Sequence, residues 1–354
     1  MNDQAWMERA LTAAQRGGLA TWQNPQVGAV LVKDDHLLAI GYHHRYGDYH
    51  AERDALSQVT PDQARGGTLY VTLEPCNHSG KQPPCSHLVV DYGIKRVVVG
   101  QLDPHQIVAG KGVQYLRDHG IQVTIGVLEQ EARAINPHYN FFFTHQRPWI
   151  ALKQAVTLDG KVALGNGKRT AITNQAVYDW VHQERAHYQA ILAGSQTVLT
   201  DNPTLGTTAK LEHQPWRVIL DRRGRLFEQA HLKIWQTTVY PTLVYTETPI
   251  SLTLPGVEIK QLAEVTPKTV VDDLAQQGLQ SLYVEGGPQI HNAFYQADLW
   301  DESITYLSPK LIGGRGVTAF SGPEPGRLME LVNVEVQKLG SDLRIRGERK
   351  CLPD

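Results

Sequence analysis

Four residues in the first third of the chain, His50, Glu52, Cys76 and Cys85, are of types that together can run metal chemistry. One imidazole and two thiolates make a soft three-ligand set that suits zinc, and three protein ligands leave the fourth tetrahedral position for water. Zinc brings the pKa of such a water from ~16 to roughly 7, and helix N-termini help keep both sulfurs ionised. Glu52 then has a task. It takes the proton from the water and passes it to a leaving nitrogen, a shuttle typically worth ~10²–10⁴ in rate. The spacing puts a condition on the fold: two residues along a formed helix is about 200°, so His50 and Glu52 in "YHAERDALSQV" converge only at a helix entrance.

Cys85 meets the same condition, because it follows the prolines of "KQPPC" and precedes the helical "SHLVVDYG". Singly, each residue has an ordinary role: a histidine before a helix caps it, and a glutamate in a first turn complements the dipole. Together, HAE, a strand running into "TLEPC", and a second cysteine at a helix start match the zinc-deaminase signature H-x-E…P-C-x-x-C. Cys351, near the C-terminus, has no assigned role, and the three cysteines do not make a disulfide framework.

The elements that must position these groups alternate. A helix near Gln4 to Gln15 precedes strands "VGAVLVKDD" and "HLLAIGYHH", the helix from Ala51, strand "GTLYVTLEP" and the helix after Cys85. Strand "KRVVVGQLD", helix "GVQYLRDHG", strand "QVTIGVL" and a helix from Glu129 follow. Near-continuous Val, Leu and Ile in strands separated by helices predicts a largely parallel sheet covered on both faces, a three-layer α/β domain. The polar stretch Thr144 to Pro148 marks a boundary between domains 1–145 and 146–354. Beyond it the alternation restarts at Trp149 and runs to a closing strand pair near Val334 to Arg346, with no internal repeat.

Bulk properties bound the partners. The formal net charge is −2 with 20% charged residues and no basic run, so neither a nucleic acid nor an anionic membrane is expected as partner. The N-terminal "MNDQAWMERAL" lacks a basic and apolar leader, and no apolar run approaches ~18 residues, so a cytoplasmic protein acting on a small molecule is expected.

With those motifs in view, the chain resembles the bifunctional riboflavin-biosynthesis deaminase/reductases of the RibD or RibG type over nearly its whole length. The long insert "CNHSGKQPPC" separates it from cytidine and tRNA deaminases, and "NPQVGAV", "GYHHRYGDYHAE", "LDPHQIVAGKG", "TLDGKVA", "TVLTDNPTL", "VEGGP" and "SPKLIGG" match further segments. The resemblance implies a cytidine-deaminase-like three-layer α/β/α domain followed by a dihydrofolate-reductase-like α/β domain. By it, the first hydrolyses the exocyclic amine of a diaminohydroxyphosphoribosylaminopyrimidine, with His50, Cys76 and Cys85 on zinc and Glu52 as proton shuttle. Asn24, His43 and Lys81 match substrate-contacting positions, as an amide facing a pyrimidine edge and a loop lysine reaching a ribose phosphate should.

The second domain, by the same resemblance, reduces the ribosyl group to ribityl with NADPH. No G-x-G-x-x-G lies between a strand and a helix, although "EGGP" at Glu285 to Pro288 could hold a cofactor phosphate on its backbone N–H groups. The resemblance places Val156, Ala171, Thr197, Asp201, Gly286 and Gly287 at the cofactor, and Arg169, Arg185, Leu205 and Glu285 at the substrate. Lys153 and Asp159 lie in the entry segment. Departures stand at "GKRTAIT", where the family's Ser and Trp are replaced by Arg169 and Ala171, and at Thr208, where an arginine is usual. Arg169 could supply the lost charge; alternatively the second domain has weakened reduction or only binds. The resemblance further implies a homo-oligomer, a dimer or tetramer paired through the second domain. Two other classes stay open: a nucleic-acid-editing deaminase, and a structural zinc protein using His78 or His87 as fourth ligand.

Overall fold

The computed structural model describes residues 1–77, 83–105, 108–323, 326 and 328–350. The chain divides into two compact units, Met1–Gln146 and Arg147–Asp354.

Unit one has strands β1 (Gly28–Lys33), β2 (His36–Tyr42), β3 (Thr68–Leu73), β4 (Arg96–Gln101) and β5 (Gln122–Ile125) in one sheet of order β2-β1-β3-β4-β5. Its helices are α1 (Asp3–Gln15), α2 (Ala51–Leu56), α3 (Pro61–Ala64), α4 (Cys85–Asp91), α5 (Lys111–Asp118), α6 (Glu129–Ile135) and α7 (Pro137–His145). Two apolar clusters make the three layers. Ala51, Ala55, Val89, Val113 and Leu116 pack α2, α4 and α5 on one face, and Trp6, Met7, Ala10 and Ala132 pack α1 and α6 on the other.

The expected largely parallel sheet is corrected in half of its pairings. β3, β4 and β5 are parallel, but β1 is antiparallel to both β2 and β3. No helix fits between β1 and β2, because Asp34 and Asp35 at φ 50° and 60° reverse the chain in a two-residue turn that only antiparallel strands can share. Gly41 on β2 lets α2 settle onto the sheet: a Cβ there would lie 2.3 Å from Ala55 N. That contact sets the depth of the helix that carries Glu52.

Unit two contains β6 (Trp149–Thr157), β7 (Lys161–Ala163), β8 (Ala190–Gly194), β9 (Trp216–Leu220), β10 (Thr242–Thr246), β11 (Val257–Gln261), β12 (Ser281–Val284), β13 (Glu302–Ser308), β14 (Val317–Thr318), β15 (Leu331–Leu339) and β16 (Asp342–Arg349). Helices α8 (Gln175–Glu184), α9 (Ser195–Asp201), α10 (Pro267–Gln276) and α11 (Pro288–Gln296) cover it. Nine strands form one sheet of order β11-β10-β9-β8-β12-β6-β13-β16-β15, parallel from β11 to β13 and antiparallel at the closing pair; β7 and β14 form a separate ribbon.

A buried carboxylate fastens α8 to this sheet. Glu184 accepts the phenols of Tyr283 and Tyr306, each at 2.5 Å, and the Arg344 guanidinium, with Nε at 2.9 Å. These donors sit on β12, β13 and β16, so the end of α8, where Arg185 follows, cannot drift from the strand ends. Among the described residues no helix is long and apolar enough to cross a membrane.

Candidate functional site

In unit one, His50 is the N-cap of α2 with extended backbone, φ −67° and ψ 156°, and the helix starts at Ala51. The turn between them is the helix entrance that the spacing required, and it lets His50 face the two cysteines while Glu52 stays beside them. His50 Nδ1 lies 3.5 Å from Cys76 Sγ and 3.5 Å from Cys85 Sγ, and Cys85 N–H donates to Cys76 Sγ at 3.4 Å. One proton shared between two sulfurs makes only a weak three-centre contact. Equal separations are what a common central ion imposes: Zn–S of about 2.3 Å and Zn–N of about 2.0–2.1 Å at tetrahedral angles put N and S about 3.6 Å apart.

These three residues are the metal-capable cluster found among the described residues, their ligand atoms all within 4.8 Å of one another. His87, offered as a fourth ligand by the structural-zinc alternative, instead stacks its exposed ring on Tyr115 at 4.3 Å. His78, Lys81 and Cys351 lie outside the described residues. Hydrogen bonds from Cys85 and His50 hold the Cys76 thiol far below its ordinary value, while the same contact and burial hold Cys85 up. A cation at the centre would take the place of that shared proton, so the donor set fits zinc.

Glu52 is only 3% exposed, and burial pushes its carboxyl up to about 7. It lines a cavity of about 370 Å³ together with Asn24, His43, Asp103, Tyr139 and Phe143. His43 Nδ1 donates to Tyr49 O at 2.9 Å, and burial lowers its pKa, so the neutral ring presents Nε2 as an acceptor. Asn24 Nδ2 sits 3.0 Å from that nitrogen and must donate to it, which fixes which way the amide points. Asn24 thus meets a ligand already oriented.

Several residues of this cavity had no signal in the sequence reading. Tyr139 and Phe143 stand on α7, unrecognised because "FFFTH" has no helical period and joins the polar boundary stretch. The Tyr139 phenol donates to Asp103, 3.1 Å from Oδ1. Glu74, inside "TLEPC", accepts the N–H groups of Val113 at 3.0 Å, Gly110 at 2.9 Å and Asp103 at 3.3 Å, tying the Cys76 segment to the far cavity wall. Its partners are backbone groups far along the chain, invisible to local motifs.

In unit two, the polar groups gather where the parallel strands end, the usual ligand edge of such a sheet. Arg185 makes a bidentate pair with Glu285, Nε to Oε1 at 2.5 Å and Nη2 to Oε2 at 2.7 Å, and its Nη1 donates to Gly206 O at 2.8 Å. The guanidinium is buried and committed to protein groups. Lys153 Nζ lies 3.6 Å from Glu285, which brings this lysine of the entry segment to the same cluster. Burial alone would raise the Glu285 carboxyl, but the Arg185 and Lys153 cations hold it at about 2. Asp201 is within electrostatic reach of Arg169 and Lys153, which brings the exposed Arg169 to the same edge.

The loop after α9 is strained and unusually short of partners. Leu205 is buried with φ 52°, a left-handed conformation costly for a branched side chain. Among the described residues, the N–H groups of Leu205, Gly206 and Thr207 have no hydrogen-bond partner. Successive free N–H groups beside a left-handed residue are the backbone pattern from which anion-binding nests are built. Beside it, Gly286 and Gly287 lead into α11, whose N-cap Gly287 makes no side-chain capping bond, and Thr197 Oγ1 is 3.4 Å from where a Gly287 Cβ would be. An uncapped N-terminus of this kind fits a nucleotide phosphate. Val156 is buried on β6, whereas Ala171 is exposed with its carbonyl accepting from Lys310 Nζ at 3.3 Å. Asp159 is spent on its own turn, accepting from Thr157 Oγ1 at 2.5 Å and Gly313 N at 2.7 Å.

Each unit contains the match to a family model. The model of the RibD C-terminal domain matches residues 148–345, and that of the cytidine and deoxycytidylate deaminase zinc-binding region matches residues 1–101. The chain is 38% identical over 353 residues to riboflavin biosynthesis protein RibD of Aquifex aeolicus, with 98% of each covered. It is 35% identical over 345 residues to that of Escherichia coli, with 92% of this chain and 93% of the relative covered. Among solved structures, RibD of Acinetobacter baumannii superposes with a TM-score of 0.88 at 36% identity, covering 99% of both chains. A diaminohydroxyphosphoribosylaminopyrimidine deaminase/5-amino-6-(5-phosphoribosylamino)uracil reductase from Thermotoga maritima superposes with a TM-score of 0.83 at 36% identity, covering 98% of both.

Proposed function

The chain belongs to the RibD family of bifunctional riboflavin-biosynthesis enzymes, and we propose how its two units divide the work. It is a zinc-dependent deaminase and an NADPH-dependent reductase. Unit one removes an exocyclic amine from 2,5-diamino-6-(5-phosphoribosylamino)pyrimidin-4-one. Unit two then reduces 5-amino-6-(5-phosphoribosylamino)uracil to its ribitylamino product. The observation that carries the first assignment is the His50 nitrogen set equally between two sulfurs, with buried Glu52 on the cavity beside them.

His50, Cys76 and Cys85 would hold the zinc, which supplies Lewis acidity that brings the proton of water within reach of a carboxylate at neutral pH. Glu52 accepts that proton and delivers it to the departing nitrogen, and its burial keeps bulk water from competing for it. Asn24, held by His43, pairs with the pyrimidine edge, and Lys81 meets the ribose phosphate. Chelating the metal should abolish ammonia release from the diamino substrate while NADPH oxidation with the deaminated pyrimidine continues. One zinc per chain should restore it, and deamination by metal-free protein would overturn the assignment.

In unit two, Gly286, Gly287, Thr197, Asp201, Val156 and Ala171 hold NADPH, which supplies the hydride. Glu285 and Lys153 orient the ribosyl group, and the free N–H groups of Leu205 to Thr207 receive its phosphate, with Arg185 bringing positive charge alongside. Arg169 adds a cation from the other side, where Asp201 already feels its charge. Arg169→Ala is therefore expected to raise the reductase KM roughly ten-fold with little change in kcat. An unchanged KM would remove Arg169 from the site.

We infer a cytoplasmic enzyme, since a reducing compartment would keep both thiols available to zinc. Val334 and Val336, exposed on edge strand β15, favour self-association of the second unit, which sedimentation of the full chain would test.

A further inference from the structure

Arg217 on β9 is 0% exposed and has no carboxylate partner among the described residues. Its guanidinium donates only to neutral oxygens: Thr242 Oγ1 at 2.9 Å, Tyr240 O at 3.1 Å, Thr237 O at 3.2 Å and Thr204 O at 3.4 Å. Burying a cation without an anion is costly, and a neutral side chain could have filled the same volume. The Tyr240 ring lies 5.5 Å beneath the guanidinium and packs so tightly on Gly206 that a Cβ there would sit 2.5 Å from ring atoms. Tyr240 OH donates to Thr207 O at 3.1 Å.

These contacts bear on the direction of the free N–H groups. In a trans peptide the C=O and N–H of one unit point opposite ways, so whatever holds the carbonyl aims the amide. Thr204 O and Leu205 N–H share a peptide, and Arg217 holds that oxygen. Gly206 O and Thr207 N–H share another, and Arg185 holds that one. A cation on the carbonyl side also polarises the peptide and strengthens its N–H as a donor. Leu205 is thereby forced into its left-handed conformation, strain that persists only where neighbours over-determine it.

We propose that Arg217 is a positioning residue for the phosphate end of the reductase substrate, aiming and polarising the Leu205 N–H through Thr204 O without touching the ligand, while the Tyr240 ring seats Gly206 beneath it. The countercharge missing around Arg217 is then the substrate's own phosphate. This inference rests on the assignment of that loop to the phosphate.

The test uses the full-length zinc enzyme and two substrates, 5-amino-6-(5-phosphoribosylamino)uracil and its dephosphorylated ribosyl counterpart. The quantity read is the ratio of their KM values, with the melting curve of the full chain as the folding control. Wild type should favour the phosphorylated compound strongly. Arg217→Lys, which keeps a cation but loses the fork that reaches Thr204 O, should shrink the ratio about five-fold, and Arg217→Gln about thirty-fold, as loss of a charged donor implies. Inorganic phosphate should inhibit wild type competitively and both variants more weakly. A merely structural role would depress turnover on both compounds and leave the ratio alone. Variants that keep the full ratio overturn the positioning role, and Arg217→Lys decides it if Arg217→Gln does not fold. If wild type fails to distinguish the two compounds, the phosphate assignment falls as well.

Discussion

Glu52→Gln is expected to cut ammonia release by ~10²–10⁴ or more while zinc stays at one per chain and NADPH oxidation with the deaminated pyrimidine is untouched. Glutamine keeps the shape of a side chain that is only 3% exposed, and its amide oxygen can still accept from the Cys85 thiol that the Glu52 carboxyl meets. What disappears is the buried carboxyl that lies against the ligand set and can take a proton and return it. Ammonia assay, metal analysis and NADPH oxidation on the same preparation separate loss of chemistry from loss of metal. A variant that deaminates within about ten-fold of wild type would mean that another group carries the proton.

The second large effect concerns Glu285. Its removal strands Arg185 and Lys153, with side chains only 8% and 15% exposed, and breaking one side of a buried ion pair costs about 3–5 kcal/mol. Glu285→Gln should abolish reduction and lower the melting temperature of unit two by roughly 10 °C, at ~2–4 °C per kcal/mol for a unit of this size. The pH dependence fixes the sign. The folded Glu285 pKa, about 2, lies below its ordinary 4.5, so the contribution is complete above pH 4.5 and disappears as pH falls toward 2. Melting curves of wild type and variant should differ most near neutrality and converge below pH 4.5. A gap that stays constant down to pH 3 would show that the carboxylate charge is not what stabilises the unit.

Legibility in the sequence followed the range of the interactions. His50, Glu52 and Cys85 could be read because each lies at a helix entrance marked by its neighbours, and the cluster confirms that these entrances converge. The β1–β2 hairpin escaped because Asp34-Asp35 is a turn without glycine, so nothing local announced an antiparallel pair. Glu184, Arg217 and Glu74 escaped for another reason: their partners lie on other elements, and no local period encodes a buried polar network. Arg185 was noticed, but its commitment to Glu285, 100 residues away, could not be seen. The loop at Leu205 carries its meaning in backbone direction, which residue types do not reveal.

The central claim is that one chain performs both reactions in succession. Its most direct test supplies purified protein with the diamino substrate and NADPH, and no other enzyme, while ammonia and NADPH are followed together. The account predicts ammonia release first, then NADPH oxidation after a lag, with one NADPH consumed per ammonia at completion. Ammonia release with NADPH left intact would contradict it and reduce the second unit, despite its assembled Lys153, Glu285 and Arg185, to a domain that does not reduce.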